Sequence, residues 1–133
     1  MANDETKPGI GKTVALPFGT VLDRVTDELR KEGFGVLTRI DVKATLKEKL
    51  GQEMAPFVIL GACNPALAHR ALELEPEVGL MLPCNVVVRE VAGGQVRVEA
   101  VNALAMMSLF PKADLGAIAT EVNARLARVV KAV

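Results

Sequence analysis

The chain has 133 residues, half of them hydrophobic, and sets sixteen basic side chains against sixteen acidic ones. That length suits a single domain over 1–133, and so large a hydrophobic share excludes a disordered chain. The even charge offers no field to draw in nucleic acid or an anionic membrane. With four Phe and no Trp or Tyr, there are also few platforms for stacking bases.

Residues 1–10 carry Gly and Pro among polar groups and lack an apolar stretch, so they read as a flexible N-terminal segment and not as a signal peptide. No apolar run nears the roughly 18 residues that span a bilayer, which makes the cytoplasm the expected location. Gly11 to Leu16 reads as a first strand. From Pro17 the period changes: Phe18, Val21, Leu22, Val25 and Leu29 share one helical stripe, and Gly33 suits a left-handed helix end. "FGVLTRIDV" reads as a second strand. A short helix follows, with Asp41 as its cap, Gly51 as its stop and a narrow stripe of Val42, Leu46 and Leu50.

Phe57 to Ala62 is a continuous apolar run, expected as a central strand. Asn64 is then a preferred N-cap, and Pro65 fits the first helical position, where its missing N–H costs nothing. Leu67, Ala68, Ala71 and Leu72 are expected to face inward. "PEVGLMLP" turns the chain back. "CNVVVREV" and "QVRVEAV" read as strands joined by a Gly-Gly hairpin turn. From Ala113 a long helix keeps Leu115, Ile118, Ala119, Val122, Leu126, Val129 and Val133 on one stripe. The order is β-α-β-α-β-α-β-β-α. An α/β sheet with parallel crossovers and an α+β fold both fit that order. The hairpin and the shortness of the second helix favour α+β, with a curved, mostly antiparallel sheet and two long helices on one face.

Both cysteines are followed by asparagine: Cys63-Asn64 ends the third strand and Cys84-Asn85 opens the fourth. If those strands are antiparallel neighbours, the two pairs meet at one rim; if parallel, they lie at opposite ends. A helix start favours a nearby anion, whether a thiolate, a carboxylate or a phosphate. The plainer reading also stands, since cysteine is often simple packing and asparagine often satisfies turns.

The stretch from Ile59 to Val88, with Gly61-Ala62-Cys63-Asn64-Pro65 and Leu82-Pro83-Cys84-Asn85, resembles a domain-of-unknown-function family numbered three-zero-two. Glu32 to Val42 is similar to that family's second strand. The resemblance implies a small α+β domain, related in shape to the TATA-box-binding-protein-like folds, and a homodimer. It implies no established activity. Many members follow the hairpin with Asp-Pro, where this chain has Asn102-Ala103.

These residues lead to a first expectation of a non-enzymatic, dimeric binding or accessory module. Its rim pocket of Cys63, Asn64, Cys84 and Asn85 would take a small anionic or thiol-reactive ligand, with no cofactor. The alternatives are a thiol-dependent enzyme, with Cys63 as nucleophile and Cys84 as resolving thiol, and a purely structural dimer. His69 is expected at the surface. Two Cys and one His lack a fourth ligand for zinc, which leaves only a metal shared between subunits. "GIGKT" lacks the spacing of a phosphate loop and precedes a strand. Ala105 to Phe110 reads as an apolar segment suited to core, pocket or interface.

Overall fold

The computed structural model describes residues 7–111 and 113–133. Its strands are β1 (Gly9–Val14), β2 (Gly35–Asp41), β3 (Phe57–Cys63), β4 (Cys84–Glu90) and β5 (Val96–Val101). Its helices are α1 (Phe18–Lys31), α2 (Val42–Leu50), α3 (Pro65–Leu74), α4 (Ala103–Met107) and α5 (Ala113–Ala132). The strands form one sheet in the order β1-β5-β4-β3-β2, every neighbouring pair antiparallel. The fold is α+β, and the parallel-crossover alternative is excluded.

Burial alternates along β4 and β5, so the sheet has one buried face and one open face. Val58, Leu60, Ala62, Cys84, Val86, Val88, Val96, Val98 and Ala100 supply the buried side. Both long helices pack on β5 and cover this face. α1 contributes Val21, Leu22, Val25 and Leu29, α5 contributes its expected stripe from Leu115 to Val129, and Val133 just past its end is buried as well. Burial at this scale, at about 25 cal/mol per Å² of apolar surface, is the main force holding the layers together.

Three strands run straight into helices, each through a capping side chain. Asp41 accepts from the Ala44 N–H at 2.9 Å, Asn64 from Leu67 at 3.2 Å and Asn102 from Ala105 at 3.2 Å. α1 ends in a Schellman turn: Gly33, at φ +84°, donates to the Arg30 carbonyl and Phe34 to the Leu29 carbonyl. The hairpin turns through Gly93 and Gly94, both at positive φ, where a Cβ would be strained.

Several boundaries and burials differ from expectation. The flexible segment expected over 1–10 lies largely outside the described residues, but Gly9 and Ile10 belong to β1, paired with Val101 and Ala100. β5 would otherwise present a bare edge, and a Cβ at Gly9 would collide with the Glu99 side chain. α2 buries no residue, and Leu50 and Leu72 are exposed. The segment from Ala103 includes α4, which the sequence reading did not resolve as a helix.

Candidate functional site

β3 and β4 bring the two cysteine turns to one rim. Ala62 lies opposite Cys84 and Gly61 opposite Asn85, so Cys63 sits one residue beyond the partner of Cys84. Both thiols are free. They line a cavity open to the centre of a water-sized sphere over about 40 Å³. The sheet end forms its floor, α3 and the turn after it form one wall, and α4 and α5 form the other.

Of the four residues expected to share a pocket, three line this cavity: Cys63, Asn64 and Cys84. Asn85 does not. It follows the core-facing Cys84 by one residue, and the strand's alternation puts it exposed on the open face, beside Val87 and Val101. The two Cys-Asn pairs are therefore not equivalent. In the first, asparagine follows the last strand residue and caps a helix. In the second, it lies inside a strand.

Asn64 is committed to structure. Its carbonyl oxygen caps α3, and its amide points at the Glu32 carbonyl, 3.5 Å away. Arg125 of α5 donates to that same carbonyl at 2.9 Å, and Arg128 holds the Glu32 carboxylate at 2.8 Å. This lock joins the end of α1, the start of α3 and α5 behind the cavity. It leaves no room at Gly33, where a Cβ would lie 3.0 Å from the Asn64 amide nitrogen. The Arg128 pairing keeps the Glu32 carboxyl below its usual range.

The cavity wall is otherwise apolar. Leu67, Ala68 and Ala71 of α3 face Ile118, Ala119 and Val122 of α5, with Phe34, Val78 and Met107 closing the gaps. Among the described residues, no Asp, Glu, Lys, Arg or His lines it. The α3 and α5 residues are legible in the sequence as core stripes, but the space the stripes leave between them is not. Met107 was legible only as part of an apolar segment.

A second buried polar feature also went unread. Asn123 of α5 donates to the Asn102 side-chain oxygen Oδ1 at 2.9 Å and accepts from the Ala103 N–H at 2.8 Å. Asn102 in turn donates to the Lys7 carbonyl at 3.0 Å. The pair fastens the start of α4, and so Ala103 and Met107 of the cavity wall, to α5. Its signal was present: a lone asparagine inside the apolar stripe of α5.

Burial raises the Cys84 thiol from 9.0 to about 11, with a smaller push from the neighbouring Cys63. Cys84 is therefore a neutral S–H at physiological pH. Between pH 9 and 11 an unfolded Cys84 has lost its proton while the folded one keeps it. The native state binds more protons there, so stability falls as pH rises, by about 1.4 kcal/mol per unit at most. Urea unfolding at pH 8 and pH 10.5 is expected to show a smaller loss for Cys84→Ala than for the wild type. Equal losses would show that the thiol is not desolvated.

His69 is exposed, with its Nε2 2.9 Å from Glu73 Oε1. Among the described residues, no group of three or more His, Cys, Asp and Glu is placed to hold a metal ion. No helix among them is long and apolar enough to cross a membrane.

The family model described as "Domain of unknown function DUF302" matches residues 10–133. The structure is similar to a crystal structure of an uncharacterized conserved DUF302 protein from Bacillus stearothermophilus. The two share 31% identity at a TM-score of 0.83, over 92% of this chain and 96% of that one. Among curated proteins no match is found.

Proposed function

The chain belongs to the DUF302 family of domains of unknown function, and from that premise we propose that it is a binding or accessory module, working as a homodimer, that holds a small uncharged molecule against Cys63. The observation that carries this reading is the partly open apolar cavity at the meeting point of the two cysteine turns. Natural cores are packed to crystal-like density, so a space of this kind beside a thiol is worth explaining. Of the two ligand chemistries expected from the sequence, anionic and thiol-reactive, the thiol-reactive one suits these walls when it is uncharged. An anion would lie against alkyl groups with no counter-charge, and desolvating it would cost several kcal/mol.

A thiol enzyme has less support. Among the described residues no acid or base lines the cavity to move a proton, and Cys84 is held as a neutral thiol, which attacks a mixed disulfide poorly. We read the shape as that of the TATA-box-binding-protein-like folds, because an open antiparallel sheet carries both long helices on one face. Two free cysteines suit a reducing compartment, the cytoplasm.

Two alkylating agents of nearly equal size test the ligand class: iodoacetamide, which is neutral, and iodoacetate, an anion. Rates at Cys63 in the native protein, each divided by its rate in the urea-unfolded chain, are expected to favour the neutral reagent by tenfold or more. Ala68→Phe, which fills the cavity from α3, is expected to remove that preference and slow both reactions. A preference for iodoacetate would sink the uncharged-ligand reading. Equal protection from both, with no effect of Ala68→Phe, would leave the cavity a packing defect.

A further inference from the structure

The sheet has two edges, and they are not alike. β1 packs against α5, and Lys12 Nζ donates to the Lys131 carbonyl near the end of that helix at 2.9 Å. At β2 α1 and α2 come near, yet all seven residues stay exposed. α2, which continues from it, also buries nothing. Among the described residues, four of the seven exposed large hydrophobic side chains belong to this β2–α2 unit: Val36, Leu37 at 66%, Ile40 at 47% and Leu50 at 67%. An open apolar edge is a template for another strand, and proteins usually defend it with Lys, Pro, a bulge or a cover. β2 has no Lys or Pro. Its one irregularity falls between Val36 and Thr38, which leaves Thr38–Asp41 regular.

We infer that the β2 edge pairs with the β2 edge of a second copy, antiparallel and centred on Ile40, so that two five-stranded sheets join into one. This rests on the homodimer of the proposed function and gives that dimer its interface. The register follows by elimination. A two-fold axis normal to the sheet keeps each face on its own side, so only residue-centred registers are allowed. Centring on Thr38 sets the irregularity at Leu37 against the partner and opposes residues from different faces. Centring on Arg39 opposes two like charges, which is destabilising. Centring on Ile40 sets each Arg39 against the partner copy's Asp41, twice, and joins the two Ile40 side chains.

The faces agree with that register. Arg39 and Asp41 pair with the buried-face residues Leu60 and Val58, so both charges lie on the helix side. Ile40 pairs with Ile59, on the open side. The charges are also available. Arg39 has no ion-pair partner among the described residues, and Asp41 spends one carboxylate oxygen on its cap. The pairing is self-complementary in charge, in apolar contact and in backbone direction, as an isologous interface requires.

Sedimentation of the wild type at about 100 µM, with crosslinking of variants that carry one introduced cysteine and have Cys63 and Cys84 replaced by alanine, tests this. The wild type is expected at twice the chain mass. Ile40→Cys, treated with copper-phenanthroline, is expected to give a reducible dimer on denaturing gels within minutes, because directly opposed Cβ atoms lie about 5 Å apart. Thr13→Cys, on the other edge, is expected to give none. Ile40→Lys and Arg39→Glu are each expected to weaken association tenfold or more with unchanged far-UV circular dichroism. A monomeric wild type overturns both this interface and the homodimer of the proposed function. A dimeric wild type in which Ile40→Cys does not crosslink and Ile40→Lys stays dimeric overturns the β2 pairing alone.

Discussion

Leu126→Ala is expected to lower the unfolding free energy by roughly 2–5 kcal/mol, the range for truncating a fully buried leucine that its neighbours cannot refill. Leu126 is fully buried in α5, one turn beyond Val122 of the cavity wall. Of its neighbours along the stripe, Val122 and Val129 are short and β-branched, and Val130 is as well, so none can extend into the space. Chemical denaturation with an unchanged m-value would measure the loss. A drop under about 1 kcal/mol would mean that the core around α5 relaxes freely, and the cavity could then not be a defined site. The truncation is also expected to enlarge the space beside Cys63, raising native alkylation by neutral reagents even where the protein remains folded.

The second large effect is expected at Asn123→Leu, roughly 2–4 kcal/mol. The substitution conserves size, so its cost comes from hydrogen bonds and not from a void. It leaves the Ala103 N–H without its acceptor and removes the donor to the Asn102 side-chain oxygen Oδ1, in a place closed to water. A buried polar group stranded in this way costs about 1–3 kcal/mol. In the wild type no buried side-chain nitrogen or oxygen among the described residues lacks a partner, so the pair is fully satisfied before the change. Because Asn123 pins α4, hydrogen exchange at Ala105 and Met106 is expected to quicken more than exchange in β3. A uniform change across the chain would mean that the pair supports global stability without holding the cavity wall.

These two residues lie three positions apart on α5, and they separate what periodicity reveals from what it hides. Leu126 was legible at once: the 3.6-residue stripe of the last helix needs a core to face, and all seven of its expected residues are buried. Asn123 sits among them and breaks the apolar pattern, yet its partner is twenty-one residues away across a loop. No local rule connects the two. Asn102 was noted only for its departure from the family's usual pair, and its roles as a cap and as a bridge to α5 depend on how α4 and α5 pack.

The cysteine site divides in the same manner. That Cys63 ends a strand, that Asn64 caps the next helix and that Cys84 starts the returning strand are local facts, carried by residue preferences at turns and caps. That the two cysteine turns meet followed from a correct inference of antiparallel pairing, which the hairpin and the short second helix supported. Asn85 shows the limit of reading a repeated dipeptide. Period-two alternation within β4 separates it from Cys84, and a strand beginning one residue later would have changed its surroundings.

The amino-acid sequence by itself determined the five strands, the helices other than α4, the caps at Asp41 and Asn64 and the buried faces of α1 and α5, because helix and strand periods, turn glycines and N-cap side chains act over a few residues. Only the tertiary structure decided that the packed stripes of α3 and α5 leave a space beside the thiols, that Asn64 is occupied by the Glu32 carbonyl, and that β2 keeps an uncovered edge. Those outcomes depend on distances between elements, which are set by the summed fit of many side chains and not by any one segment's pattern.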